Sequence, residues 1–384
     1  MKVLPQAVPQ SGRRPDVVAR PRRAWADHLK VVLVAGVIVA HATMAWTGMD
    51  TWVFNETPVR EPLLTVLLLI AAIAALFGMA LFFLVAGYFT PRSLQRKGFT
   101  RFVADRALRL LVPMAAFVVL LSPPIEYVDP QNAGWTGGFW EFVPHIWWPP
   151  VPGPTWFLGV LFGFSLLYAL LRSVRKGLEA GRPLRLAQLL MGAVAVAVAA
   201  FLIMIQAPLG VEVWHLALAQ LPGWVAGFTI GVLAAEHAWL PLDRDLARRI
   251  RVVAWLSLVA GVVLMIFSEV TGMGIEPFLG GGTWQSAVLA SIQAVMVMTV
   301  PLWVVDLFWR RFDQQPGRFG RALGRSAFAA FLVHQSVLVA LVLGVRLLHW
   351  PPEAAYVTAS TLAVTMSFAL GWLLTRVPGV SRIV

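Results

Sequence analysis

Residues 29–46 read LKVVLVAGVIVAHATMAW, an apolar run in which Lys30 and His41 are the only ionisable side chains. An α-helix of this length rises about 27 Å, which is close to the thickness of the hydrocarbon core of a bilayer. The stretch therefore predicts a transmembrane helix. Similar apolar runs recur along the whole chain, so this stretch indicates the fold class of the entire protein.

The composition supports a membrane protein throughout. Hydrophobic residues make up 59% of the 384 residues and charged residues only 13%, and the mean hydropathy is +0.75. Soluble domains carry about 25% charged residues. We predict an all-α, polytopic transmembrane helix bundle with about ten spanning helices, the second long enough to tilt or to break near Gly78. The segments are 29–46, 62–89, 107–122, 154–171, 186–206, 216–235, 251–268, 284–307, 326–348 and 355–375.

The basic residues predict the orientation of this bundle. If both termini and alternate loops are cytoplasmic, 29 of the 31 Lys and Arg residues fall on that side, and only Arg60 and Arg346 fall on the other. Cytoplasmic loops of membrane proteins carry such an excess. We expect a multi-pass protein of the plasma membrane with a basic, disordered tail over 1–24, a transmembrane domain over 25–376 and a short tail over 377–384.

The same charge pattern weakens other functional classes. A net charge of +12 does not predict a nucleic-acid partner, because the basic residues are dispersed between apolar segments rather than gathered in one stripe. The chain has no cysteine, which excludes disulfides, thiolate nucleophiles and Cys-ligated metals. Neither a metal motif nor a nucleotide-binding glycine loop is present, so we expect no metal and no bound cofactor.

His41 is the most informative ionisable residue, since such groups are costly inside a membrane. Lys30 precedes it by eleven positions, which place both side chains on one helix face about 16 Å apart along the axis. A cation at the membrane edge and an imidazole deeper inside suit a long donor with an anionic head, such as acyl-coenzyme A. The imidazole would be the base. The alternative is a histidine that only packs against a neighbouring helix.

Two further groups allow both a functional and a structural interpretation. Arg106 and Arg109 lie on one helix face and can clamp phosphates, or they can be plain topology anchors. His334 lies in the middle of the ninth segment, where it serves either the chemistry or a hydrogen bond between helices.

The segment 123–153 is the longest connection and is predicted to face outward. It carries Trp135, Trp140, Glu141 and His145. Indole faces beside carboxylates suit sugar rings, so this segment is a candidate platform for the acceptor. The alternative is a belt of tryptophans at the headgroup level.

Several short motifs, in order along almost the whole chain, resemble those of the acyltransferase 3 membrane proteins, and within them the branch of glucan biosynthesis protein C. The first is the spacing of Lys30 and His41 in WADHLKVVLVAGVIVAH. The others are FF-x-x-x-G-Y-F, R-x-x-R before a proline, W-F-L and aromatic-L-x-H, matched here by Phe82, Phe83, Gly87, Tyr88, Phe89, Arg106, Arg109, Pro113, Trp156, Phe157, Leu158, Phe331, Leu332 and His334. The family often has Tyr where Phe331 stands and His where Thr155 stands.

This resemblance implies transfer of an acyl group from cytoplasmic acyl-coenzyme A, as donor substrate, to a hydroxyl of a glycan, glycolipid or secondary metabolite. His41 would be the base or a transient acyl carrier. Lys30, Arg106 and Arg109 would hold the donor, with Asp27, Trp156 and His334 in support. The implied partners are acyl-coenzyme A, a carbohydrate or lipid-linked acceptor and the lipid bilayer.

A transporter or flippase is the main rival, since it also fits ten helices and buried histidines. Many transporters have repeated halves, and no internal repeat is evident. Proton coupling also calls for carboxylates within the spans, whereas Asp27, Asp306, Glu212 and Glu269 lie at their ends. A scaffold without catalytic activity is the remaining alternative.

Overall fold

The computed structural model describes residues 24–48, 53–132, 134–145, 150–174 and 181–383. Ten helices in these residues are long and apolar enough to cross a membrane. They are α1 (Ala24–Ala45), α2 (Leu63–Lys97), α3 (Phe99–Glu126), α4 (Gly153–Val174), α5 (Leu186–Met204), α6 (Leu218–Glu236), α7 (Arg244–Val270), α8 (Trp284–Arg311), α9 (Arg318–Arg346) and α10 (Pro352–Leu374). No strand occurs in the described residues. The prediction of an all-α polytopic bundle is confirmed.

Helix boundaries differ from the sequence-based segments mainly at the charged ends. α1 begins at Ala24 rather than at Leu29, and α2 runs unbroken through Gly78 to Lys97, so the suggested interruption is absent. Hydropathy underestimates the length of these helices, because they continue with polar residues beyond the hydrocarbon core. The predicted tail over 1–24 lies almost entirely outside the described residues.

α3 is longer than predicted and irregular. Two π-helical turns, Ala107–Leu111 and Phe117–Leu121, come shortly before Pro113 and Pro123. Proline has no backbone N–H, so the regular hydrogen-bond ladder fails at each proline, and a wider turn accommodates the loss. Each wider turn shifts the residues that follow it around the helix axis, relative to the face that carries Arg106 and Arg109.

Glycines bring α2 and α6 into backbone contact. A Cβ atom added at Gly87 would lie 2.3 Å from the carbonyl oxygen of Phe228, and one added at Gly231 would lie 2.1 Å from that of Leu84. Small residues permit such close approach in membranes, where helix association depends on packing rather than on hydrophobic burial. The glycine of the G-Y-F motif is thus explained by helix packing.

The remaining helices pack around this pair. α8 is the most enclosed, with 67% of its apolar window buried, and it contacts α2, α5, α6 and α7. α9 and α10 lie side by side, with Gly371 against the backbone of Ala330, and α1 packs on both. The largest buried cluster takes side chains from α1, α2, α3, α4, α6, α9 and α10.

The two ends of the bundle differ in charge. We call the end at which α1 begins the basic end, since the excess of Lys and Arg lies there. At the opposite end, Arg346 binds Glu56 at 2.6 Å and Asn132 at 2.9 Å. Arg60 lies within 4.0 Å of Glu353. Both exceptions to the charge bias therefore have acidic partners, while the cytoplasmic position of the termini stays a prediction.

Candidate functional site

Two histidines from distant parts of the chain meet inside the bundle. His41 on α1 and His334 on α9 have ring centroids 5.0 Å apart, with the rings inclined at 64°. α1 and α9 pack directly on each other, which brings the two motifs together. The sequence indicated both residues separately but gave no sign that they form a pair.

Backbone carbonyls fix the orientation of both rings. The Nδ1 atom of His41 lies 2.8 Å from the carbonyl oxygen of Val37, and the Nδ1 atom of His334 lies 2.6 Å from that of Phe331. A carbonyl oxygen can only accept, so each Nδ1 carries the proton. In the neutral ring, Nε2 then holds a free lone pair and can accept a proton.

The two rings differ in burial. His334 is fully buried, and its Nε2 makes no hydrogen bond within the described residues. His41 is only half-buried. A base must reach the proton that it removes, so His41, the more accessible of the two rings, is the better candidate for the base.

A chain of aromatic rings, from the motif that contains His334 and from two other motifs, begins at this pair. Phe331 stacks on His334 at 5.7 Å and contacts Phe157 at 6.3 Å. Phe157 in turn lies 4.8 Å from Phe83 and 5.8 Å from Phe82. The F-F, W-F-L and aromatic-L-x-H motifs therefore form one apolar wall beside the histidines, which excludes water from that side.

Trp156 belongs to the same wall through its ring contact with Phe157 at 6.4 Å. Its ring stacks on Trp224 of α6 at 4.5 Å. Phe83 also lies 5.9 Å from Trp224. Trp224 was not identified from the sequence. A tryptophan inside an apolar helix, two residues after Pro222, was the available signal.

Lys30 lies at the basic end of α1 and is partly neutralised. Its Nζ atom is 2.9 Å from Oδ1 of Asp27, and 43% of its side chain is exposed. Asp27 is buried and holds Lys30 at its place on the face that also carries His41. The exposed ammonium remains able to bind a further anion.

Arg106 and Arg109 have different surroundings. Arg106 is half-buried, donates to the hydroxyl of Thr90 on α2 at 3.2 Å and lies over the ring of Phe102. Arg109 is 53% exposed and pairs with Asp105 at 3.2 Å. Asp105 also binds Lys97 at 2.5 Å. Neither arginine has a described contact with His41. A shared role of these arginines with Lys30 and His41 therefore stays a prediction.

The predicted acceptor segment is partly helical. Val128–Asn132 and Phe139–His145 are short helices, and Trp135 packs against Tyr127 at 5.9 Å. Trp140 is 83% exposed, and Glu141 is exposed as well. The side chain of His145 lies outside the described atoms. An exposed indole beside a carboxylate fits either an acceptor platform or an interfacial belt.

One buried polar group was missed altogether. Glu236, the last residue of α6, is 7% exposed and accepts a hydrogen bond from the Tyr168 hydroxyl at 2.6 Å. Arg172 approaches the same carboxylate oxygen at 3.5 Å. A tyrosine in an apolar span, in a chain with only 4 tyrosines, was the signal that sequence reasoning overlooked.

Metal-binding geometry is not found in the described part of the chain, where no three His, Cys, Asp or Glu side chains gather. The site therefore consists of two imidazoles, an apolar wall and cations at the basic end. Such a set can move a proton in a place protected from water and can bind an anion outside it.

Comparison with known proteins gives one match. A family model described as "Acyltransferase domain", that of acyltransferase 3, matches residues 23–376. No curated protein and no solved structure matches the chain.

Proposed function

The chain belongs to the acyltransferase 3 family of multi-pass membrane proteins, and we propose that it moves an acyl group from acyl-coenzyme A to a hydroxyl. The acyl group is of the acetyl or succinyl kind, and the acceptor is a glycan, a glycolipid or a secondary metabolite. The observation that carries the proposal is the His41–His334 pair, with both Nδ1 atoms bound to carbonyls. The resemblance to glucan biosynthesis protein C supports a carbohydrate as the acceptor.

His41 supplies the base in this proposal. Its Nε2 takes the proton of the acceptor hydroxyl while the oxygen attacks the thioester carbonyl. The new C–O bond forms, the C–S bond breaks, and the leaving thiolate receives the proton from the imidazolium. General base catalysis of this kind contributes about 10²–10⁴-fold to a rate.

His334 supports His41 rather than replacing it. Its ring meets that of His41 at 5.0 Å and is itself held by Phe331. The buried imidazole fixes the position of the His41 ring, and the lone pair on its unpartnered Nε2 atom stabilises the positive charge that His41 gains during the reaction.

The donor enters from the basic end in this account. Lys30, Arg106 and Arg109 bind its phosphates, and the thioester lies about 16 Å further along α1, at His41. The exposed Trp140 and Glu141 at the opposite end present the acceptor. If the acceptor stays outside, His41 Nε2 attacks the thioester itself and carries the acyl group as an acyl-imidazole. We place the protein in the plasma membrane, with both termini cytoplasmic.

The test is release of free coenzyme A by purified protein in detergent, with acetyl and succinyl donors. We expect His41→Ala to lower the rate at least about 100-fold, while His349→Asn, in an exposed connection, retains it. Both variants are checked for folding by gel filtration. A folded His41→Ala variant with the wild-type rate contradicts the proposed base. A wild-type protein that neither binds nor consumes any acyl donor points to transport instead.

A further inference from the structure

Three pairs of side chains join α4 to α6. Trp156 stacks on Trp224, Phe164 lies 5.5 Å from Phe228, and the Tyr168 hydroxyl binds Glu236. Each pair lies further towards the basic end than the one before. The seam is therefore aromatic beside the histidine pair and polar at the basic end.

The register of α4 relates the two ends of this seam. Phe157, at the histidine end, and Tyr168 are eleven residues apart, so they share one helix face with a rise of about 16 Å between them. Lys30 and His41 are separated by the same number of residues on α1. The polar end of the seam thus lies near the depth of Lys30.

At the polar end, the hydrogen bonds leave three buried atoms without a partner. Tyr168 and Arg172 both approach Oε1 of Glu236, at 2.6 Å and 3.5 Å. Oε2 of Glu236, Nη1 of Arg172 and Nδ1 of His237 are buried and form no hydrogen bond within the described residues. Burying such groups without partners is costly, so their grouping indicates a site rather than a finished ion pair.

We propose that Glu236 and Arg172 form a binding site for a secondary amide of the donor, in the pantetheine arm of acyl-coenzyme A. The proposal rests on the proposed function. The Oε2 atom of Glu236 accepts the amide N–H, and Nη1 of Arg172 donates to the amide oxygen. Helix side chains lean towards the N-terminus of their helix, so both groups reach from the basic end into the bundle.

The charge of the site favours a neutral amide over an ion as its ligand. The carboxylate and guanidinium already neutralise each other, so the site has no net charge to attract a phosphate or a cation. One open acceptor beside one open donor matches a neutral group that carries both. The phosphates remain with Lys30, Arg106 and Arg109, and the amide lies between them and the thioester.

The test compares donors with and without amides. We expect Glu236→Gln and Arg172→Gln to raise KM at least about tenfold for acetyl-coenzyme A and S-acetylpantetheine. Turnover of the thioester S-acetyl-2-mercaptoethanol, which has no amide, should be unchanged. Arg244→Gln and Asp245→Asn, which change exposed charges at the same end, are the matched controls.

A second measurement needs no variant and so does not depend on folding. S-Acetylpantetheine with N-methylated amides lacks the N–H donors, and we expect its KM with the wild-type protein to rise at least about tenfold over that of the parent compound. The proposal is overturned if the methylated and parent compounds have equal KM values. It is also overturned if the variants lose as much activity with the amide-free donor as with acetyl-coenzyme A. In either case, Glu236 and Arg172 have only a structural role. Failure of the wild-type protein to use any coenzyme A donor overturns the proposed function itself, and this inference with it.

Discussion

His41 illustrates how a single side chain obtains a chemical role from its surroundings. The carbonyl of Val37, four residues earlier on the same helix, holds the Nδ1 proton and leaves Nε2 free to accept another. His334 obtains the same tautomer from Phe331. The local sequence sets the tautomer of each ring, whereas the contact between the rings depends on how α1 and α9 pack.

His334→Phe separates packing from chemistry at this pair. Phenylalanine retains a ring of similar shape against Phe331 and His41, so we expect the variant to fold. It lacks both ring nitrogens, and we expect its rate of coenzyme A release to fall at least about tenfold. The measurement is the initial rate at saturating donor together with the thermal midpoint. An unchanged rate would show that His334 only fills space.

Part of this arrangement was predictable from the sequence and part was not. Lys30, His41 and His334 were identifiable because ionisable groups are rare in apolar helices. The role of Trp224 and the Tyr168–Glu236–Arg172 network was not, because it arises between α4 and α6, which are distant in sequence. Hydropathy assigns spans without saying which helices are neighbours.

At the scale of the elements, the α2–α6 contact is held by glycines. Gly87→Ala places a methyl group 2.3 Å from the Phe228 carbonyl oxygen, so the backbones must separate. We expect a loss of about 1–3 kcal/mol, seen as a lower thermal midpoint in detergent. Gly78→Ala on the same helix is the matched control, since a methyl group there meets nothing within 4 Å. Equal midpoints for the two variants would contradict the close-packed contact.

Arg346 connects elements at the end opposite the basic end. It pairs with Glu56, hydrogen-bonds Asn132 and lies 4.6 Å from the centre of the Phe54 ring. Arg346→Ala leaves the carboxylate of Glu56, 16% exposed, without this partner. We expect a loss of about 1–2 kcal/mol after allowance for solvent, seen as a lower thermal midpoint.

The control for that substitution is Arg60→Ala at the same end. Arg60 is 81% exposed and only 4.0 Å from its carboxylate partner, so its removal should change the midpoint little. If Arg346→Ala and Arg60→Ala lower the thermal midpoint equally, exposure does not determine how much each arginine contributes to stability.

For the whole molecule, the distribution of charge predicts which end faces the cytoplasm. The chain has no cysteine, so a single introduced thiol is the only target for a maleimide. We expect Glu212→Cys to react with an impermeant maleimide in intact cells, and Gln314→Cys to react only after permeabilisation. Both positions are exposed. The reverse labelling pattern would invert the topology and place the donor cations outside.

The number and order of the spans were predictable because about 20 apolar residues are needed to cross a bilayer, whichever helices they contact. The length of α3 was not, because its first turns, Phe99–Arg106, are too polar to be read as part of an apolar span, and because π turns carry the helix past Pro113 and Pro123. The family match over residues 23–376 agrees with the order of motifs along the chain. The acceptor was not predictable, since the exposed Trp140 and Glu141 fit either an acceptor platform or an interfacial belt.

The most direct measurement is a cryo-electron microscopy structure of the protein with a non-hydrolysable acyl-coenzyme A analogue. The account predicts the nucleotide at the basic end, near Lys30 and Arg106, and the acyl carbon beside Nε2 of His41. A nucleotide bound at the opposite end, or an acyl chain that lies against lipid away from His41, would contradict it.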